Sequence, residues 1–377
     1  MSLTTRTVYR FGVATFTQRA EVTHASAEES QRVQMARGIA CFLLVAFHVI
    51  GAQATSGLHA ADDSGYRLFT NLLAYVRMPL FTFLSGFVYA YRPVRLGDED
   101  LFALKKLRRL GVPFLVATTS MYIGHIVAGD RAMPELLQAW RVYVVPIDHL
   151  WFVSALLCIF GLVIALEVLG ALRTLQRWAV VFALAVAGYL FIPRAPMDVL
   201  GLSELPYLLP YFLAGLAANR FRSLFFSPNC LHVLLALLIV MQAIYSAYVL
   251  TQLHGSLDVT VSHTVTGLVI GVAAGICALR WLPRVGVVQS VGTHSYAIYL
   301  YHPVFIAVAR LVLKRVELPL MAQFWIGMAV GILGPVILVL ALARLPWAQL
   351  LLVGTAGKVS KPERAVALPD SRPSEVR

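Results

Sequence analysis

Arg37 and His48 stand eleven residues apart in MARGIACFLLVAFHVIGAQ (residues 35–53), a run otherwise apolar enough to cross a bilayer. On an α-helix, eleven steps of about 100° return to nearly the same face, and at 1.5 Å each they separate the two side chains by about 16 Å. With Arg37 at a membrane mouth, His48 lies near mid-depth. An ionisable side chain inside a membrane is costly, so it faces a protein interior or an aqueous cavity. Imidazole changes charge near neutral pH, and at the foot of such a cavity it could act as a general base or as a nucleophile. A histidine satisfied by a neighbouring helix is the plain alternative.

Four further stretches carry polar chemistry. LKKLRRLGVP (104–113) sets Lys105, Lys106, Arg108 and Arg109 directly before an apolar run. Such a cluster anchors a cytoplasmic helix end or binds phosphate, and Arg37 would share its depth. MPLFTFLSGFVYAY (78–91) is an aromatic run broken by Pro79, Ser85 and Gly86, residues that let helices approach and that can hydrogen-bond across them. IDHLWFVSALL (147–157) places Asp148, His149 and Trp151 at the outer entrance of a span, where a tryptophan is an ordinary belt residue. THSYAIYLYHP (293–303) puts Ser295, Tyr299 and His302 at i, i+4 and i+7, one helix face. That stripe would be unfavourable against lipid and should turn inward, for catalysis or for plain interhelical hydrogen bonding. The other histidines are scattered without metal-ligand spacing, so no metal is expected.

These residues need a membrane scaffold to hold them. The 377-residue chain is 59% hydrophobic and 13% charged, with mean hydropathy +0.75, against about 45–50% and about 25% in soluble domains. Ten apolar runs of roughly span length follow one another, at about 37–54, 69–91, 110–128, 149–170, 178–193, 206–219, 232–252, 263–281, 293–313 and 321–343. Uninterrupted runs exclude a barrel, whose strands alternate. The expected fold is therefore all-α, a polytopic membrane helical bundle of about ten transmembrane helices. Most of the 31 Lys and Arg fall in the alternate segments that include both termini. By the positive-inside rule both termini are then cytoplasmic. Arg67, Arg131, Arg141, Arg194, Lys314 and Arg315 fall outside, and Arg77 and Arg310 lie within spans.

The same distribution explains the net charge of +12 without nucleic acid, because the cations form no continuous patch. Cys41, Cys158, Cys230 and Cys277 lack paired spacing and read as small buried side chains. The expected organisation is a polar cytoplasmic tail over 1–34, a membrane domain over 35–345 and a disordered cytoplasmic tail over 346–377. Translation could start at Met1 or Met35. A signal peptide over 1–60 is disfavoured by its long leading region and the histidine in its core.

Taken in order, RGIACFLLVAFH, MPLFTFLSGF, KKLRRLGVP, HLWFVSALL, LPYFLAGL and VGTHSYAIYLYHP resemble the acyltransferase 3 family of bacterial integral-membrane O-acyltransferases, from about residue 35 to 345. The resemblance implies transfer of an acyl group, commonly acetyl, from cytoplasmic acyl-CoA to a cell-surface or lipid-linked saccharide. The family's first-span arginine and histidine match Arg37 and His48. Its R-x-x-R pattern falls on Lys106 and Arg109, with lysine where the family has arginine, which keeps the charge and loses the bidentate fork. Its S-G-F element falls on Ser85, Gly86 and Phe87. The chain ends soon after the tenth run, as expected of a stand-alone membrane module.

The expected donor site is Arg37, Lys106 and Arg109 on the CoA phosphates, with His48 catalytic. The expected acceptor side is Ser85, His149, Trp151, Ser295, Tyr299 and His302. A saccharide transporter is the rival class, but the sequence shows no internal repeat, and Glu167 is the one clear acid inside a span. A structural subunit of an envelope complex would leave His48 and the basic cluster unexplained.

Overall fold

The computed structural model describes residues 5–127, 129, 134–252, 263–313 and 315–355, with side chains from Glu28 onward. Among the described residues there are helices and no strands. Helix α1 (Thr5–Ile50) runs unbroken through the segment read as a polar tail into the first apolar run. Glu28 pairs with Arg284 at 3.0 Å and Glu29 with Arg222, fixing the polar stretch to the bundle. The helix stops at Ile50, not 54, because Gly51 takes a left-handed conformation (φ 96°) where a side chain would strike the Ser56 carbonyl.

The run read as one span over 69–91 is two helices, α2 (Gly65–Leu72) and α3 (Ala74–Tyr89). The carbonyls at the break are held by α11 (below), whose Gln242 donates to Leu72 O at 2.9 Å and whose Tyr245 hydroxyl donates to Asn71 O at 2.9 Å. The basic motif lies on α4 (Glu99–Lys106), which passes through a π turn (Leu107–Gly111) into α5 (Val112–Val127). Pro113 has no N–H to offer the Arg109 carbonyl, which loosens the ladder at this point.

A short helix α6 (Arg141–Val144) and a 3-10 turn (Asp148–Leu150) precede α7 (Trp151–Val168). Then come α8 (Leu175–Phe191), α9 (Leu205–Arg220), α10 (Arg222–Phe225), α11 (Pro228–Gln252) and α12 (Val265–Trp281). After α13 (Gly286–Thr293) the chain enters α14 (Ser295–Leu313) and α15 (Leu320–Ala341). The first residues of the expected C-terminal tail form α16 (Pro346–Val353); residues 356–377 lie outside the described residues.

Each of the ten apolar runs falls on a helix. Seven stretches are long and apolar enough to cross a membrane: Glu28–Ile50, Gly65–Tyr89, Glu99–Val127, Leu136–Val168, Pro228–Gln252, Ser295–Leu313 and Leu320–Ala341. The remaining three, α8, α9 and α12, have 17, 16 and 17 residues and fall just short of that length. Large apolar side chains project outward from the bundle, among them Leu184, Ile239, Leu333 and Ile337. An apolar exterior around an apolar core is what lipid as solvent requires.

Helices α3 and α9 approach closely where they cross. Gly86 sits against the Phe212 carbonyl, and Gly215 sits reciprocally against the Phe83 carbonyl, with no room for a Cβ at either. Small residues that bring backbones together are the usual device for joining helices in lipid. This explains the glycines in both SGF and LAGL.

A histidine cluster joined by one helix to a basic mouth

Three imidazoles meet at the end of α1. His48 of α1, His302 of α14 and His149 of the turn before α7 pack edge to face. Ring centroids are 4.8 Å apart for His48–His302, 5.6 Å for His48–His149 and 5.0 Å for His149–His302. His302 is fully buried and His149 nearly so, whereas His48 is partly open.

His302 has its proton placed by its own helix. Its Nδ1 lies 2.8 Å from Ile298 O and 3.0 Å from Tyr299 O. Both partners are carbonyls, so Nδ1 carries the hydrogen and Nε2 is the basic nitrogen. Tyr299 O is available because Pro303 has no N–H to bond to it. The His302 Nε2 and both ring nitrogens of His149 are buried with no hydrogen-bond partner in the protein. Buried polar atoms are almost always paired, so these open nitrogens mark a place built for a polar guest.

The supports around the cluster are backbone contacts. The Tyr299 hydroxyl donates to the His149 carbonyl. Arg310 donates to His48 O and, at 3.0 Å, to Val49 O, a cation seated on the C-terminal carbonyls of α1 where the helix dipole favours it. Asp148 turns the chain into the cluster with φ 50° and pairs with His125 at 2.7 Å.

Cys41 Sγ lies 3.9 Å from Ser295 O, and seven residues further along each helix His48 meets His302. Helices α1 and α14 therefore run parallel and in register. Going back along α1, Arg37 lies about 16 Å from His48. There it comes within electrostatic range of Lys106 and Arg109. Lys106 Nζ lies over the Phe160 ring at 3.9 Å, and Arg109 is exposed on the π turn. The Tyr296 hydroxyl donates to Leu110 O at 3.0 Å and ties this turn to α14. A cavity of about 270 Å³ opens at the same end, lined by Arg95, Glu99, Glu167 and Arg173. It lies two turns beyond Lys106 and does not reach the histidines.

Along the apolar stretch Glu28–Ile50, Arg37 lies nine residues after the start and His48 two residues before the end, because the helix begins well before Arg37 and stops at Gly51. His149, expected at the outer entrance, is carried in by the Asp148 turn and touches His48.

Of the other expected residues, Tyr299 packs at a tilt against His149, ring centroids 5.1 Å apart. Ser85, Trp151 and Ser295 stay outside the ring cluster. The Ser85 hydroxyl donates to Phe81 O of its own helix at 2.8 Å, and Trp151 packs edge-on against Phe152 at 6.1 Å. Arg77 and Arg310 belong to the site and were passed over; their signal was charge inside apolar runs. Among the described residues, no group of three His, Cys, Asp or Glu is arranged to hold a metal ion.

A polytopic helical membrane protein with a histidine cluster at one end of a helix, and a cation further along that helix joined by two more from a neighbouring segment, is suited to group transfer. The chain belongs to the acyltransferase 3 family: the family profile, described as an acyltransferase domain, matches residues 31–344. It is a membrane acyltransferase. No match to the chain was found among curated proteins or among solved structures.

Proposed function

We propose that the protein moves an acyl group, acetyl in the simplest case, from acyl-CoA to a hydroxyl of a cell-surface or lipid-linked saccharide, in the inner membrane of a bacterium. The observation that carries this is the single helix α1, which presents Arg37 to Lys106 and Arg109 at one point and His48 to two further histidines about 16 Å along. In this reading all ten apolar helices cross the membrane and both chain ends face the cytoplasm, as the Lys and Arg distribution favours.

Arg37, Lys106 and Arg109 grip the CoA phosphates, and the cavity beside Arg95 and Arg173 receives the nucleotide end. The pantetheine arm lies along the Cys41–Ser295 seam and brings the thioester to His48. The saccharide hydroxyl enters between His149, Tyr299 and His302. His48 takes the hydroxyl proton as its oxygen bonds to the thioester carbonyl carbon. The C–S bond then breaks, CoA leaves as the thiolate, and the proton held by His48 passes to that sulfur. An ester and free CoA result.

His48→Ala in a chain that still inserts should abolish acylation of the surface saccharide, read by mass spectrometry of the glycan. Unchanged acylation would remove His48 from catalysis. Purified protein with labelled acetyl-CoA separates this reading from a transporter, because only the enzyme releases CoA.

A further inference from the structure

Arg77 is a buried cation with no anion. It lies on α3, is 9% exposed, and holds its guanidinium 3.7 Å from the centre of the Phe47 ring, one residue before His48. It is within electrostatic range of the His48 ring, as is Arg310. Arg310 is occupied by the carbonyls of His48 and Val49. Among the described residues Arg77 has no carboxylate partner. Three described acids are engaged elsewhere: Asp62 with Arg67 at 3.3 Å, Glu204 with Arg194 at 3.0 Å, and Asp148 with His125 at 2.7 Å. The phenols of Tyr207 and Tyr245 lie within electrostatic range of Arg77, and the Tyr245 proton is spent on Asn71 O.

A ring face and neutral hydroxyls solvate a guanidinium poorly compared with a carboxylate or phosphate. A lone charge inside a membrane bundle is costly and faces a functional cavity. Here it packs on Phe47 at the His48 end of α1, away from the Arg37 cluster, which is the end at which the proposed function brings in the acceptor.

We propose that Arg77 selects the acceptor: the saccharide presented to His48 carries an anionic group, carboxylate or phosphate, that pairs with this guanidinium. The inference rests on His48 being the acyl-transfer base. It narrows the acceptor to acidic saccharides or to sugars still attached to a phosphate-bearing lipid.

The test measures binding without turnover, so it stands apart from the His48→Ala assay. Purified full-length protein, with CoA in excess to fill the Arg37 end, is titrated with methyl glycosides of glucose and galactose, with the matching uronides, and with the 1-phosphates of both sugars. Thermal stabilisation gives the half-effect concentration. At least one anionic member should act at a concentration ten-fold or more below its neutral partner. Arg77→Gln should close that gap, and Arg77→Lys should keep part of it. A response in the uronide arm alone assigns the charge to the sugar; a response in the phosphate arm alone assigns it to the carrier. Neutral members binding as well as anionic ones throughout would overturn the proposal. So would a gap that persists in Arg77→Gln or, should that variant not fold, a gap left at full size in Arg77→Lys.

Discussion

The two ends of the Arg37–His48 segment are built on opposite principles. At the His48 end the polar groups are buried and pinned by backbone: His302 by two carbonyls of its own helix, Tyr299 to the His149 carbonyl, and Arg310 to the last carbonyls of α1. At the Arg37 end the cations repel one another, Arg109 is exposed, and the backbone beneath them is a π turn. One end fixes a proton and a direction. The other keeps a cluster of like charges that only an incoming polyanion can bring together. A reaction centre gains from geometry set in advance, whereas a donor clamp must open and close around a flexible phosphate chain.

That contrast can be broken at either end. The largest effect expected after loss of His48 itself is from Arg37→Ala. A hydrogen bond to a charged group is worth about 1.5–3 kcal/mol, so the KM for acetyl-CoA should rise by about ten-fold to a hundred-fold, with kcat changed less. Donor kinetics on the purified protein measure this, and a fall confined to kcat would place Arg37 with the chemistry instead.

Next comes Pro303→Ala. The new N–H can bond to Tyr299 O, which then competes with His302 Nδ1–H for that carbonyl. With the His302 proton less firmly placed, kcat should fall about three-fold to ten-fold and the donor KM should hold, a result that donor kinetics would give directly; an unchanged kcat would mean the His302 tautomer is not used.

The smallest effect is from Lys106→Arg. A planar fork replaces a point charge, and the KM for acetyl-CoA should drop about two-fold in the same assay. No change would indicate that Lys106 serves the Phe160 ring and not the donor.

Much of this was legible in the sequence, for physical reasons that differ by region. The ten apolar runs fall on helices because lipid leaves the backbone few other ways to be satisfied. The inward turn of the Ser295–Tyr299–His302 stripe was legible from its cost against lipid, whereas the meeting of His302 with His48 was not. What could not be read was where apolar runs break. Leu73 divides one run into α2 and α3 with no glycine or proline to announce it; the α11 side chains that hold the freed carbonyls lie 170 and 174 positions away. The entry of His149 into the cluster depends on one residue, Asp148, adopting a left-handed conformation. Arg77 carried a local signal, charge within an apolar run, and its lack of a carboxylate partner among the described residues became visible only in the folded bundle.

The π turn at Leu107–Gly111 has a consequence for α4 and α5 as a pair. A π turn holds one more residue than the α-helical turn it replaces. Everything after it is out of phase by about 100° with everything before it. Lys106 and Arg109 therefore do not project as two residues three apart on an ordinary helix would. Their common aim at Arg37 depends on an inserted residue as much as on their spacing. Deleting Leu107 would leave every cation of the motif in the chain and rotate Lys105 and Lys106 relative to Arg108 and Arg109.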